Sequence, residues 1–358
     1  MLVRKNVAVS LWLPWVMCFV AKPTMAETPS TAKEHMSFDA YISLRMQAES
    51  VFPDNQVMIN DYRGLRDAYS RVGANMRYKM MDDVTLFGQI ELPIDTVNFR
   101  LTDPYDQGSR GGREKYEDLR IARVGMTTPI GQVVFGQQWM PYYNAIVTPV
   151  DKFSTYYSGF ATSTVFRVKD TWAYYSPEIK GVSVAASYSP SAANQRSTSR
   201  IDDRRLQATV SYQRDNTRLA FGVDDRGSSG GDKERLYGIS VAWTMDNWDL
   251  AFKYERVENT LANGFYNDGA NAYSVYTGYQ QGKNTYKALL VNIESYGEMI
   301  VQLGIDHQYN DNLTIFAEFY QEQESAAITA KHLGMDDIDS RSSGGKVFAA
   351  GFRYDFSF

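Results

Sequence analysis

The final stretch of the chain constrains its fold more tightly than any other. Phe348, Ala350, Phe352, Tyr354, Phe356 and Phe358 share one parity, and Val347, Ala349, Gly351, Arg353, Asp355 and Ser357 share the other. Period-two alternation places these sets on opposite faces of a β-strand, one aromatic and apolar, the other small, polar or charged. The same pattern recurs upstream. Phe38, Ala40, Ile42, Leu44 and Met46 alternate with Asp39, Tyr41, Ser43, Arg45 and Gln47, and Leu313, Ile315, Ala317 and Phe319 alternate with Thr314, Phe316, Glu318 and Tyr320. Segments 205–212 and 248–255 repeat it.

Reading the whole chain this way predicts sixteen strands. They fall near 37–47, 70–79, 83–92, 118–127, 131–138, 165–175, 181–188 and 204–212, then 217–224, 235–243, 248–255, 272–279, 285–292, 298–309, 313–322 and 346–358. Short connections follow the even-numbered strands, such as Met80-Met81-Asp82 and Asn310-Asp311-Asn312. Longer segments rich in Gly, Ser, Asp and Asn follow most odd-numbered ones, at 48–69, 93–117, 139–164, 189–203, 225–234, 256–271 and 323–345. Only 293–297 is short where a long loop is expected. Short turns at one end and long loops at the other are the layout of a transmembrane β-barrel.

A soluble sandwich shows alternation too, but its core would have to accept Arg45, Arg71 and Arg77, which lie on the polar parity. A polar parity that lines water and an apolar parity that faces lipid resolve the conflict. The chain carries 25 Tyr, 18 Phe and 6 Trp. Several of them, including Tyr188, Tyr212, Trp243, Trp248, Tyr254 and Tyr309, fall near strand ends, where aromatic girdles sit at the membrane interfaces. Lipid offers no hydrogen-bond partner to a free strand edge, so the sheet must close on itself. Two strands read less cleanly. Lys287 shares a parity with Leu289 and Val291, and Arg123 falls opposite in parity to Arg120.

Residues 1–26 read as a secretory signal peptide, with Arg4 and Lys5 before an apolar run from Val7 to Val20 and Thr24-Met25-Ala26 at the cleavage position. The expected mature domain is 27–358. The leader carries three of the 37 basic residues and none of the 42 acidic ones, so 34 basic face 42 acidic side chains afterwards, a net charge of −8. That balance argues against nucleic acid as a partner. The only cysteine, Cys18, lies in the leader, which removes disulfides, thiolate metal sites and a cysteine nucleophile from consideration.

With the strands placed, the chain resembles the trimeric general porins of Gram-negative outer membranes. Arg120-Ile121-Ala122 through Val124-Gly125-Met126 is similar to the family's Arg-x-Ala-x-x-Gly-Leu strand, and Gly131 to Gly136 to the strand entering the third loop. Tyr174 to Gly181 is similar to the Tyr-x-Ser-Pro-x-x-x-Gly turn, and terminal Phe358 to the signal read by the barrel-assembly machinery. The resemblance implies an all-β, 16-stranded antiparallel barrel in which 139–164 folds inward and narrows the pore opposite a ladder of wall arginines. Arg120 and Arg71 match ladder positions directly. Arg45 and Arg77 join them by alternation, and Arg167 and Lys169 by sharing a parity on the sixth strand. The family's Pro-Glu-Phe-Gly-Gly loop motif is absent, Asp151 is the only acid of 139–164, and Gln137 stands where the family commonly has Arg. The sign of ion preference stays open.

The implied function is passive diffusion of ions and small hydrophilic solutes through a water-filled channel, with no cofactor. The implied surroundings are a homotrimer, lipopolysaccharide and outer-membrane lipid. The wall arginines have an alternative reading as structural salt bridges, and Asp151 as a solvated loop acid. Trp139, Tyr142, Tyr143, Phe153, Tyr156, Tyr157 and Phe160 offer rings on which a saccharide could stack, which gives a sugar-selective porin as the alternative; simple packing of the loop is the other reading. Asp336, Asp337 and Asp339 suit either a divalent cation shared with lipopolysaccharide or a solvated loop. A barrel enzyme would need a nucleophile and a base, and His35, His307 and His332 show no catalytic or metal-ligating spacing. An adhesin would call for longer loops.

Overall fold

In the computed structural model, residues 35–54, 60–101, 119–155, 157, 162–196, 203–260, 268–294, 298–323 and 344–358 are described. The strands are β1 (Met36–Pro53), β2 (Tyr62–Asp67), β3 (Arg71–Met81), β4 (Val84–Pro93), β5 (Ile121–Thr128), β6 (Gly131–Trp139), β7 (Arg167–Tyr175), β8 (Val182–Ser189) and β9 (Arg205–Arg214). They continue with β10 (Thr217–Ser229), β11 (Asp232–Met245), β12 (Trp248–Asn259), β13 (Asn271–Gln281), β14 (Asn284–Ile293), β15 (Glu298–Gln308), β16 (Leu313–Glu322) and β17 (Gly345–Ser357). Each pairs antiparallel with its sequence neighbour, apart from β2 and β3. Those two are lengths of one stave, because β1 pairs with β2 through Met46–Val51 and with β3 through Met36–Ser43. The result is sixteen staves.

The ring closes where β1 meets β17, in register from Tyr41↔Ser357 to Pro53↔Gly345. The amide of Phe358 donates to the Ala40 carbonyl at 2.8 Å, which ties the chain terminus into the seam. Alternation decides what each side shows. Phe348, Phe352 and Tyr354 of β17 are exposed on the outside, while Val347 and Ala349 are buried within. Tyr212, Trp243, Trp248 and Tyr286 form an exposed aromatic belt near the short turns. Trp248 lies 4.6 Å from Tyr279 across β12 and β13.

Tight turns owe their shape to residues that tolerate positive φ. Asp215 and Asp246 (both φ 49°) and Gly282 (φ 60°) begin the two-residue connections after β9, β11 and β13, as the twist of a hairpin demands. At the opposite end the staves run further than alternation suggests. Most of 48–69, expected as loop, is strand: β1 continues to Pro53 and β2 begins at Tyr62. Likewise 225–234 is a hairpin that turns at Gly230-Gly231. Both departures arise because polar residues such as Glu49, Arg66, Asp225 and Arg235 pair with one another across strands. Residues 102–118 and 324–343, the latter including Asp336, Asp337 and Asp339, lie outside the described residues, as do the leader, 156 and 158–161.

The seam leaves little space for side chains. A Cβ added to Gly351 would meet the Met46 carbonyl oxygen at 2.2 Å and the Phe316 ring at 2.7 Å. Gly351→Leu is therefore expected to destabilise the barrel by about 1–3 kcal/mol or more through overpacking. In unheated gels, the compact folded band should weaken relative to wild type.

Candidate functional site: the loop-lined lumen

The segment after β6 turns into the barrel through a short π-helical turn, Tyr143–Val147, and follows the inner wall from β9 to β16. Its contacts progress stave by stave. The Tyr142 amide donates to Gln207 Oε1 of β9 at 3.0 Å. Arg218 of β10 and Ser240 of β11 both donate to the Ala145 carbonyl, at 3.1 and 2.9 Å. Thr164 and Thr162 donate to Asp224 of β10 and Glu255 of β12, at 2.8 and 2.6 Å. Lys287 of β14 donates to the Lys152 carbonyl at 3.1 Å. Finally, Glu318 of β16 accepts the amides of Ser154 and Thr155 at 2.7 and 3.1 Å. Glycines make room for the loop. A Cβ on Gly238 would lie 2.1 Å from Tyr142 Oη, and one on Gly304 would lie 3.1 Å from the Phe153 ring.

The remaining wall is basic. Arg45 of β1 stands directly opposite Arg353 of β17 in register. Its Nε donates to Ser43 Oγ at 2.8 Å, and its guanidinium lies 3.9 Å from Asp355. Arg71 and Arg120 share Glu91, at 3.8 and 3.1 Å. Glu91 also accepts from Tyr41 Oη at 2.8 Å. Arg123 donates to Gln89 at 2.9 Å. The opposed parities of Arg120 and Arg123 are reconciled because β5 begins only at Ile121. Arg123 faces inward by alternation, and Arg120 turns inward from the bend before the strand. Gln137, in place of a basic residue, donates to the carbonyls of Leu119 and Arg120 and so fixes that bend.

Not every expected position joins this wall. Arg77 lies six residues along β3 from Arg71, or about 20 Å at strand rise, level with Phe87 near the short-turn end. Arg167 is buried, with its guanidinium 4.8 Å above the Trp139 ring. Lys169 is exposed. The two lysine-arginine positions separate because Lys169 and Asp170 (φ 51°) together stand opposite Gln137, a bulge that breaks the period of two. Asp151 accepts from Tyr143 Oη at 2.5 Å. Enclosure and this carboxylate hold the Tyr143 phenol well above the ordinary tyrosine range, so it remains a donor.

The loop aromatics divide. Tyr142 and Tyr157 are buried, and Tyr157 stacks on Tyr320 of β16 at 4.7 Å. Phe153 packs edge-on to Tyr276 and lies 4.8 Å from Lys287 Nζ. Trp139 stacks on Tyr143 at 4.7 Å, with Phe166 5.0 Å from Tyr143. Tyr156 and Phe160 are outside the described residues. No sequence motif marks the lumen acids Glu91, Glu255, Glu318 and Asp224. Alternation alone places Glu91 beside Gln89 and Glu318 beside Tyr320, but their partners are far away in the chain. Among the described residues, no group of three or more His, Cys, Asp or Glu could hold a metal ion.

The sequence model of the Gram-negative porin family matches residues 15–327 of the chain. No curated protein sequence matches it. Solved structures similar in fold include an anion-selective porin from Comamonas acidovorans, at 14% identity and TM-score 0.65, covering 90% of this chain and 100% of that one. OmpF of Salmonella typhi, in complex with daunomycin, shares 15% identity at TM-score 0.66, covering 90% and 97%. The trimer form of OmpT, an outer membrane protein of Vibrio cholerae, shares 14% at TM-score 0.61, covering 90% and 100%.

Glu318 anchors the far end of the inner loop. Each hydrogen bond to a charged acceptor contributes about 1.5–3 kcal/mol. Glu318→Ala removes the acceptor of two loop amides and is expected to raise open-state current noise in single-channel records. It should also lower the temperature at which the folded band disappears in gels.

Proposed function

Because the chain belongs to the Gram-negative porin family and is a β-barrel of the bacterial outer membrane, we propose that its lumen passes ions and small hydrophilic solutes by passive diffusion. Residues 139–164 narrow that lumen opposite the basic wall. The observation that carries this reading is the division of the interior. The loop is hydrogen-bonded along β9 to β16, and the arginines occupy β17, β1, β3 and β5 on the other side. Solutes pass between the two.

Arg45, Arg71, Arg120, Arg123 and Arg353 outnumber Glu91 and Asp355 on the wall, so the passage favours anions. The Comamonas acidovorans porin of similar fold is named as anion-selective. Arg77 and Lys169 stand outside the narrow zone and contribute little to its field. Arg167 supports Trp139 instead of facing solutes. The saccharide-selective reading loses two of its rings, since Tyr142 and Tyr157 are buried in loop packing. No step of this function requires catalysis or a cofactor.

Assembly as a homotrimer suits the outer surface. Ala48, Ala350 and Ala317 align across β1, β17 and β16 and leave a shallow apolar face against which a neighbouring subunit can pack. The remainder of that surface meets membrane lipid and lipopolysaccharide. Residues 1–26 are proposed as the cleaved leader, leaving Glu27 as the first residue.

The test is the zero-current potential of the reconstituted channel across a potassium chloride gradient. Chloride preference is expected. Arg71→Glu should lower the chloride-to-potassium permeability ratio by about two- to fivefold near 0.1 M salt, with less effect at 1 M, where screening shortens to about 3 Å. Cation preference in the wild type would overturn the assignment of the wall.

A further inference from the structure

One row of the sheet crosses the outer surface with no large side chain at its centre. Ala317, Ala350 and Ala48 stand side by side in register on β16, β17 and β1, between Ile305 of β15 and Leu65 of β2. The next outward row toward the long loops reads Phe319, Phe348, Ser50 and Arg63. Phe319 and Phe348 lie 5.0 Å apart and stand above the alanines as a rim. The two rows shape a mostly apolar groove of about 1120 Å³, lined at its long-loop end by Ser50 and Arg63.

Two cations stand at that end. Arg63 shares the outward parity of Leu65 on β2, and Lys346 that of Phe348 on β17. Both are exposed, and neither side chain makes a hydrogen bond or ion pair with any described residue. The inward arginine of the same strand differs, since Arg66 is held by Glu49 at 2.7 Å. Arg63 pairs with Ser50 and Lys346 with Phe52, so the two cations are two staves and two residues apart, about 12 Å between Cα positions. Phe52 packs edge-on to Phe348 at 6.3 Å. Small Ser50, beside Arg63, leaves the groove open toward the headgroup layer.

We propose that this groove holds the lipid portion of lipopolysaccharide, with an acyl chain along Ala317, Ala350 and Ala48 and its two phosphates on Arg63 and Lys346. The inference rests on the proposed subunit contact at the same alanines and deepens it. Two convex barrels meet at the rims, and the chain fills the space between them. Lipid tails are as apolar as the groove, so the chain gains little by leaving bulk lipid. The groove supplies shape, and the cations decide which lipid stays. Long loops mark the outer leaflet, where lipopolysaccharide is the anionic lipid. Arg63 offers a planar fork to one phosphate and Lys346 a point charge to the other. Two separated cations suit a headgroup with two phosphates better than a single-phosphate lipid.

The test uses protein extracted from outer membranes, exchanged into mild-detergent micelles that contain bisphosphoryl lipid A, monophosphoryl lipid A or phosphatidylglycerol, and read by native mass spectrometry. Wild-type trimers are expected to retain bisphosphoryl lipid A about fivefold better than the monophosphoryl form, the effect of one charge near the membrane surface. Arg63→Gln and Lys346→Gln should each lower that retention about fivefold and bring the two lipids level. Both residues are exposed, so the folded band in unheated gels should be unchanged. Ala350→Leu, which fills the groove floor and keeps both cations, should lower retention as well. Equal retention of the three lipids by wild type, or retention unchanged in all three variants, overturns the site. Trimers that carry no lipid A overturn the site and leave the subunit contact standing. Lipid A retained equally well by monomers supports the groove and overturns the subunit contact.

Discussion

Closure of the backbone hydrogen-bond ladder is the constraint on which the rest of this molecule depends. A hydrocarbon environment gives an unpaired amide or carbonyl no partner, and each one left open costs several kcal/mol. Sixteen staves meet that demand only if the first and last pair, so the seam between β1 and β17 is the one pairing that no hairpin supplies. It is reinforced where it is weakest. Gly351 permits close approach of the two backbones, and the Phe358 amide adds a final bond to Ala40. The length of β1, which carries strand pairing well beyond the expected Gln47, gives the seam its reach.

Once the cylinder closes outward-apolar, every polar residue of the second parity is confined to the interior, and the lumen must satisfy them. It does so in two ways. From β9 to β16 the inner loop supplies amides, carbonyls and hydroxyls to Gln207, Arg218, Asp224, Glu255, Lys287 and Glu318. Across the lumen, where the loop does not reach, arginines crowd together against few acids. Arg45 and Arg353 even face one another in register. Like charges directly opposite on a sheet repel, and that arrangement is tolerable where water and carboxylates such as Asp355 and Glu91 share the load. The surplus of positive charge is thus a local property of one wall, in a chain whose net charge is −5.

The fold was legible because its governing rule is local. Period-two alternation located nearly all the staves, and the short turns declared themselves through Asp-Asn and Gly-containing pairs such as Asp215-Asn216 and Gly282-Lys283. Stave length was less legible. Glu49 and Arg66 look like loop residues until they are seen to pair across two strands. The site was only half legible. Arg45, Arg71 and Arg120 follow from parity and motif, whereas Lys169 was misplaced by a bulge that leaves no mark in residue type. Glu318 shows its parity but not its role, since the amides it binds lie 163 and 164 residues earlier.

By itself, the sequence determined a barrel with an aromatic exterior, a polar interior and alternating short and long ends, because side-chain direction in a strand depends only on odd or even position. Tertiary structure decided which interior residues meet. The path of 139–164, the burial of Tyr142 and Tyr157, the left-handed Tyr69 beneath Arg120 and the division of the lumen into a loop-covered wall and a basic wall all depend on curvature, which brings distant staves face to face. No periodicity encodes that meeting, because it is set by the circumference of the closed sheet and not by any neighbouring residue.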